Sequence, residues 1–163
     1  MQEPHKPVMT ERVREYLDTA EDICVVDGTL GAGGHAERLL QNNPDLTLLG
    51  IDRDNEALKT AEKRLGKFGE RVILRQGLFG DLEDAIEEVG WEGVHGVLLD
   101  LGMSSMQLDS PDRGFSYKKD GPLDMRMNLN QKFSAKDIVN NYSKENIEDI
   151  LKKYGEENWS ARI

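Results

Sequence analysis

Three groups of residues have the types and spacing to do chemistry. The first is Asp27-Gly28-Thr29-Leu30-Gly31-Ala32-Gly33-Gly34-His35, set between an apolar run and a helical segment. Glycines at such a turn let the backbone bend tightly and approach a ligand without Cβ clashes. Gly31 to Ala36 satisfies G-x-G-x-x-G/A, a dinucleotide-loop pattern that a bare strand-to-helix turn can also satisfy. The second is Asp52, which ends another apolar run 19 residues after Gly33. A carboxylate there can accept hydrogen bonds from both ribose hydroxyls of an adenosine-type ligand. It could instead cap the next helix, but Asp54 suits that role better and leaves Asp52 free. The third is Asp100-Leu101-Gly102-Met103-Ser104-Ser105-Met106-Gln107-Leu108-Asp109. It follows a further apolar run, at the carboxyl edge where open α/β sheets place their sites.

Other chemistries are disfavoured. Gly102-x-Ser104-x-Met106 lacks the final glycine that a hydrolase's G-x-S-x-G elbow requires. His5, His35 and His95 show no metal-ligand spacing, so no metal is expected, and a lone histidine such as His95 reads as structural. The lone cysteine, Cys24, sits within Ile23–Val26 and reads as a buried strand residue in a reducing, cytoplasmic protein.

The elements that must position these groups are legible as periodicities. Thr10–Leu17 reads as a short helix with Val13, Tyr16 and Leu17 on one side. Continuous apolar runs at Ile23–Val26, Leu46–Ile51, Val72–Leu74 and Val94–Leu99 read as buried parallel strands. Helical patterns at His35–Gln41, Asn55–Phe68 and Asp81–Val89 alternate with them. This alternation predicts a Rossmann-like α/β domain, a parallel sheet covered by helices with right-handed crossovers. Residues 102–133 have no clear period and are too long for an ordinary connection, which marks a functional segment. Ser134-Ala-Lys-Asp137 has capping-box spacing at a helix start, and Ser143–Tyr154 predicts a last helix stopped by Gly155. The expected division is residues 1–104 and 105–163, the second being the start of a helical module. The Val94–Leu99 strand is expected to be central, yet no later segment supplies a partner for its other edge. The chain is therefore expected to be truncated, with C-terminal strands missing.

The 163 residues suit one α/β domain, and no apolar run approaches the length of a membrane span. A formal charge of −10 argues against nonspecific nucleic-acid binding by the whole surface. The charge is uneven. Between Asp112 and Lys136, six Lys and Arg face three Asp, a local balance of +3 that leaves −13 elsewhere.

Taken in order, several blocks carry a family resemblance. They are His5-x-Pro7-Val8, the Asp27–His35 loop, Asp52-Arg53-Asp54, the Asp100–Asp109 block, Arg113-Gly114-Phe115-Ser116, Gly121-Pro122-Leu123-Asp124-Met125-Arg126-Met127 and Tyr154-Gly155-Glu156-Glu157. Together they closely resemble the bacterial small-subunit ribosomal RNA cytosine-N4 methyltransferases. The Asp100–Asp109 and Arg113–Met127 blocks are the specific ones; the Gly-rich loop is shared by many folds. The resemblance implies a class I S-adenosylmethionine methyltransferase fold interrupted after the fourth strand by a helical RNA-recognition domain. It implies that Gly33, Gly34, His35, Asp52, Phe79, Asp100 and Gln107 contact S-adenosylmethionine, with Phe79 beside the adenine. The implied substrate is a cytidine in the decoding region of small-subunit RNA in the 30S particle, with homodimerisation a candidate assembly.

The exocyclic amine of cytosine is a poor nucleophile because its lone pair is delocalised into the ring. An enzyme must hold it in line with the methyl group and accept a hydrogen bond that localises the lone pair. Asp100, with Ser104 or Ser105 nearby, is the candidate catalytic acceptor. Arg113, Lys118, Lys119 and Arg126 are candidate phosphate contacts. Two alternatives stand beside this reading: a catalytically incompetent cofactor-binding fragment, and a nicotinamide-dependent oxidoreductase, which shares the loop and Asp52 but leaves the Asp100–Met127 blocks unexplained.

Overall fold

The computed structural model describes residues 7–17 and 22–163; His5 lies outside them. The chain divides into two compact units, Met1–Ser105 and Met106–Ile163. In the first, the elements run α1 (Thr10–Leu17), β1 (Cys24–Asp27), α2 (Gly34–Asn42), β2 (Thr47–Asp52), α3 (Asn55–Leu65), β3 (Val72–Gln76), α4 (Leu82–Glu88) and β4 (Gly96–Leu98). All strand pairs are parallel, in the order β3-β2-β1-β4. This is the Rossmann-like α/β arrangement that the alternation predicts.

The central strands are apolar on both sides because both faces of the sheet are covered. Val25 and Leu48 point into one cluster with Leu39, Leu40, Ala61 and Leu65 from α2 and α3. Their neighbours Val26 and Leu49 point the other way, into a cluster with Leu82, Ala85 and Ile86 of α4. Alternate residues of an extended strand face opposite sides, so both periods must be apolar here. All four of these valine and leucine side chains are fully buried. Val13 and Leu17 of α1 pack on the first cluster, but Tyr16, expected beside them, is 76% exposed. An eight-residue helix on one face buries only a narrow stripe, and Tyr16 falls outside it.

Several boundaries differ from expectation for physical reasons. The third helix stops at Leu65 because the following Gly66–Arg71 tightens into a 3₁₀ turn broken by Gly69 at φ 60°. β4 is three residues long rather than six, and it pairs with β1 alone among the described residues. Its other edge has no partner among the described residues, as the sequence leads one to expect, and Val97 and Leu99 are each more than two-fifths exposed. Cys24 is half-buried rather than buried, being the first residue of its strand. Its N–H donates to His95 Nδ1 (3.0 Å) while the His95 N–H donates to its carbonyl (2.8 Å), so His95 has the structural role expected of it.

In the second unit, α5 (Ser105–Asp109, its first residue shared with the first unit), α6 (Ala135–Asn141) and α7 (Lys144–Gly155) are the helices. The predicted capping box is present at α6. The Asp137 N–H donates to Ser134 Oγ (3.3 Å), and the Ser134 N–H donates to Asp137 Oδ2 (2.9 Å). Ser134→Ala should therefore lower the unfolding free energy by about 1 kcal/mol, seen as a reduced urea midpoint at unchanged slope. At the end of α7 the left-handed residue is Glu156 (φ 51°) rather than Gly155, which remains helical.

Candidate functional site

β1 ends at Asp27, and the Gly-rich loop that follows is held by its own sequence. The Asp27 carboxylate accepts from the Thr29 N–H (3.1 Å), an Asx-turn that reverses the chain. Leu30, 4% exposed, plugs the loop into the core and donates its N–H to the Ile51 carbonyl (3.0 Å). Gly33 then takes the left-handed conformation (φ 76°) at the head of α2. It lies so close to α3 that a Cβ would stand 3.0 Å from Leu65 Cδ1, so position 33 needs glycine for both backbone and packing. Gly34 and His35 open the first turn of α2.

Asp52 ends β2 beside this loop. Its Oδ2 accepts from the Gly31 N–H (2.7 Å) and its Oδ1 from the Asp54 N–H (2.8 Å). Asp54 is the N-cap of α3, accepting from the Glu56 N–H (3.0 Å). Asp54 is therefore the cap, as expected, but Asp52 is not free: each oxygen already holds one amide. A carboxylate has about four acceptor positions, so room for two ligand hydroxyls remains.

Asp100 follows β4 at the same edge of the sheet. Its N–H donates to Thr29 Oγ1 (2.6 Å), and its Oδ2 lies 3.7 Å from Nε2 of His35. His35 is 8% exposed, and its buried Nδ1 has no hydrogen-bond partner among the described residues. Burial holds the imidazole below its ordinary pKa, while Asp100 pulls it the other way. Asp27, 1% exposed, is pushed up to about 7 by burial, with the charges of Asp52 and Asp100 adding to the shift and the Thr29 hydrogen bond opposing it. Phe79, 38% exposed, follows β3, and its Cβ stands 3.3 Å from where a Cβ on Gly28 would lie. Leu99 would be closer still, at 2.8 Å, so a side chain at position 28 would crowd both.

The structure thus gathers Gly33, Gly34, His35, Asp52, Phe79 and Asp100 at one edge of one sheet. Ser104 precedes α5 and Ser105 opens it, both half-buried. Gln107 lies in the second unit, on α5, and is buried. The four basic residues singled out there divide into two kinds. Arg113 is buried, and its Nη2 donates to the carbonyls of Arg126 (3.0 Å) and Met127 (2.9 Å). Arg126 grips Asp124 through Nε and Nη2 and the carbonyls of Leu129 and Gln131 through Nη1. Those bonds hold the Asp124 carboxyl below its ordinary range. Both arginines thus serve as ties within an irregular loop. Lys118 and Lys119 are exposed, Lys119 beside Asp109 and Lys118 over the ring of Tyr117. Thr29 was not foreseen as a link to Asp100. Its spacing from Asp27 was the available signal, because Asp-x-Thr is an Asx-turn pattern.

Residues 2–163 match the MraW methylase family. The chain is 48% identical to the ribosomal RNA small subunit methyltransferase H of Thermobifida fusca, over 98% of this chain and 49% of that protein. It is 45% identical to the protein of the same name from Halothermothrix orenii, over 98% of this chain and 51% of the relative. Among solved structures, an RNA methyltransferase from Salinibacter ruber in complex with S-adenosyl-L-homocysteine aligns with a TM-score of 0.48 and 24% identity, covering 65% of each chain. The chain spans about half the length of the curated relatives it matches. No helix among the described residues is long and apolar enough to cross a membrane. A match along almost every residue, reinforced by near-half identity to these relatives, establishes that the chain belongs to the MraW methylase family.

Proposed function

We propose that this chain is the cofactor-binding part of an S-adenosylmethionine-dependent methyltransferase acting on N4 of a cytidine in the decoding region of small-subunit ribosomal RNA. The observation that carries the choice of cofactor is the Asp100 carboxylate 3.7 Å from His35, in the first turn of α2. A nicotinamide dinucleotide would set its pyrophosphate at that helix N-terminus, against the Asp100 carboxylate and beside an imidazole whose charged form burial disfavours. The cationic sulfonium of S-adenosylmethionine meets the opposite sign.

The residues present fit that cofactor. Asp52 retains acceptor capacity for ribose hydroxyls, the half-exposed Phe79 ring offers a face for adenine, and the buried Nδ1 of His35 is a polar atom without a complement among the described residues. Gly33, Gly34 and Asp100 complete the set. When bound, S-adenosylmethionine would supply a methyl group on a sulfonium sulfur that leaves with its electron pair, and the proton displaced from the amine would pass to the Asp100 carboxylate. Asp100 accepts the hydrogen bond from the amine that localises its lone pair, with Ser104 or Ser105 completing the acceptor side. Lys118 and Lys119 contact RNA phosphates, while Arg113 and Arg126 shape the loop that presents them. The substrate assignment is supported by the names of the relatives and by the Asp100–Met127 blocks.

Calorimetry with S-adenosylmethionine and with NAD tests the cofactor; the first should bind more tightly, and tighter binding of NAD would overturn the reading. Nucleoside analysis of small-subunit RNA after incubation with methyl-labelled cofactor should place the label in N4-methylcytidine. Label in another nucleoside would refute the N4 assignment, and binding without labelling would favour the incompetent fragment.

A further inference from the structure

Beyond the last bonds of the β1–β4 ladder the two chains part. Gly28 donates its N–H to the Leu98 carbonyl (3.0 Å), and the next tie is the Asp100 N–H to Thr29 Oγ1 (2.6 Å). Thr29 is itself anchored, since its N–H is held by the buried Asp27 carboxylate. Asp100 has little else to fix it. Its side chain is 55% exposed, and β4 has no strand on its outer edge among the described residues. A carboxylate so placed would ordinarily sample several positions, yet it stands opposite His35.

We propose that Thr29 is a positioning residue: its hydroxyl, held in place through the Asp27 carboxylate, fixes the Asp100 backbone so that the Asp100 side chain faces His35. The role rests on the preceding reading for its meaning in methyl transfer, but not for its test. A threonine suits the task because its hydroxyl accepts while its β-methyl restricts the rotamer. Valine has nearly the same shape and no acceptor. In Thr29→Val the Asp100 N–H loses its partner, the turn relaxes, and the carboxylate leaves His35.

The His35 imidazole reports this directly, with no cofactor and no turnover. Asp100 raises its pKa against the effect of burial, so removing or displacing that carboxylate lowers it. In NMR titrations of the chain, Thr29→Val should lower the His35 midpoint toward the value of Asp100→Asn, and Thr29→Ser, which keeps the hydroxyl, should retain the wild-type value. A Thr29→Val midpoint equal to wild type, with Asp100→Asn lowered, would overturn the proposal; so would an Asp100→Asn variant that leaves His35 unmoved. If circular dichroism shows that the valine variant does not fold, Thr29→Ala carries the same expectations. A failure of S-adenosylmethionine to bind, with these titrations as expected, would count against the proposed function alone.

Discussion

Asp52→Ala should weaken S-adenosylmethionine binding about 10- to 150-fold, equivalent to about 1.5–3 kcal/mol, the range for hydrogen bonds to a charged group. Two effects act in the same direction. Under the proposed function the ribose loses its acceptor, and the Gly31 N–H loses the carboxylate that fixes the Gly-rich loop. The loop should survive the change, because Leu30 remains plugged into the core and Gly33 remains packed on Leu65. Asp52→Asn keeps an acceptor oxygen but not the charge, and should fall between wild type and alanine. Calorimetry on the three proteins checks the ranking. Unchanged affinity in Asp52→Ala would show that the carboxylate serves only the local backbone.

The second large effect is on stability. Asp27 has an ordinary pKa of 3.8 and is raised to about 7 in the folded chain. Between those values the folded state holds a proton that the unfolded state has released, so stability falls as pH rises. At 1.36 kcal/mol per unit the full window is worth on the order of 4 kcal/mol, and the part between pH 5 and pH 8 on the order of 3. His35 acts with the opposite sign, since its folded pKa is lowered and stability from it is gained as pH rises toward 6.5. Comparison with Asp27→Asn separates the two. Asparagine keeps an acceptor for the Thr29 N–H and cannot ionise. Its stability advantage over wild type should therefore grow from pH 5 to pH 8, as read from urea midpoints at each pH. Parallel pH profiles for the two proteins would show that Asp27 does not titrate in this window.

The two expectations concern neighbouring carboxylates with opposite tasks. Asp52 is half-buried and keeps acceptor capacity at the edge of the sheet, whereas Asp27 is enclosed and acts on its own turn. Both are strand-terminal aspartates, each followed two residues later by an amide that its carboxylate accepts. Burial and the Gly31 N–H that Asp52 also accepts separate them, and both depend on groups that converge from other elements.

That distinction marks how far the sequence reached. Apolar runs determined the four strands, because a strand covered on both faces must be apolar at both periods, as Val25, Val26, Leu48 and Leu49 are. Local chemistry likewise determined the α6 capping box and the Asp54 cap, whose partners lie two or three residues away. Gly33 was singled out as a loop residue, and its left-handed backbone needs no distant partner to explain it. Tertiary structure decided what depends on distant partners. It shortened the Val94–Leu99 run to the three paired residues of β4, since pairing is a property of neighbours and not of the strand. It turned Arg113 and Arg126 inward onto loop carbonyls that no charge count could anticipate. It also joined Thr29 to Asp100 and Asp100 to His35, contacts spanning more than sixty positions that exist only because parallel β1 and β4 end side by side.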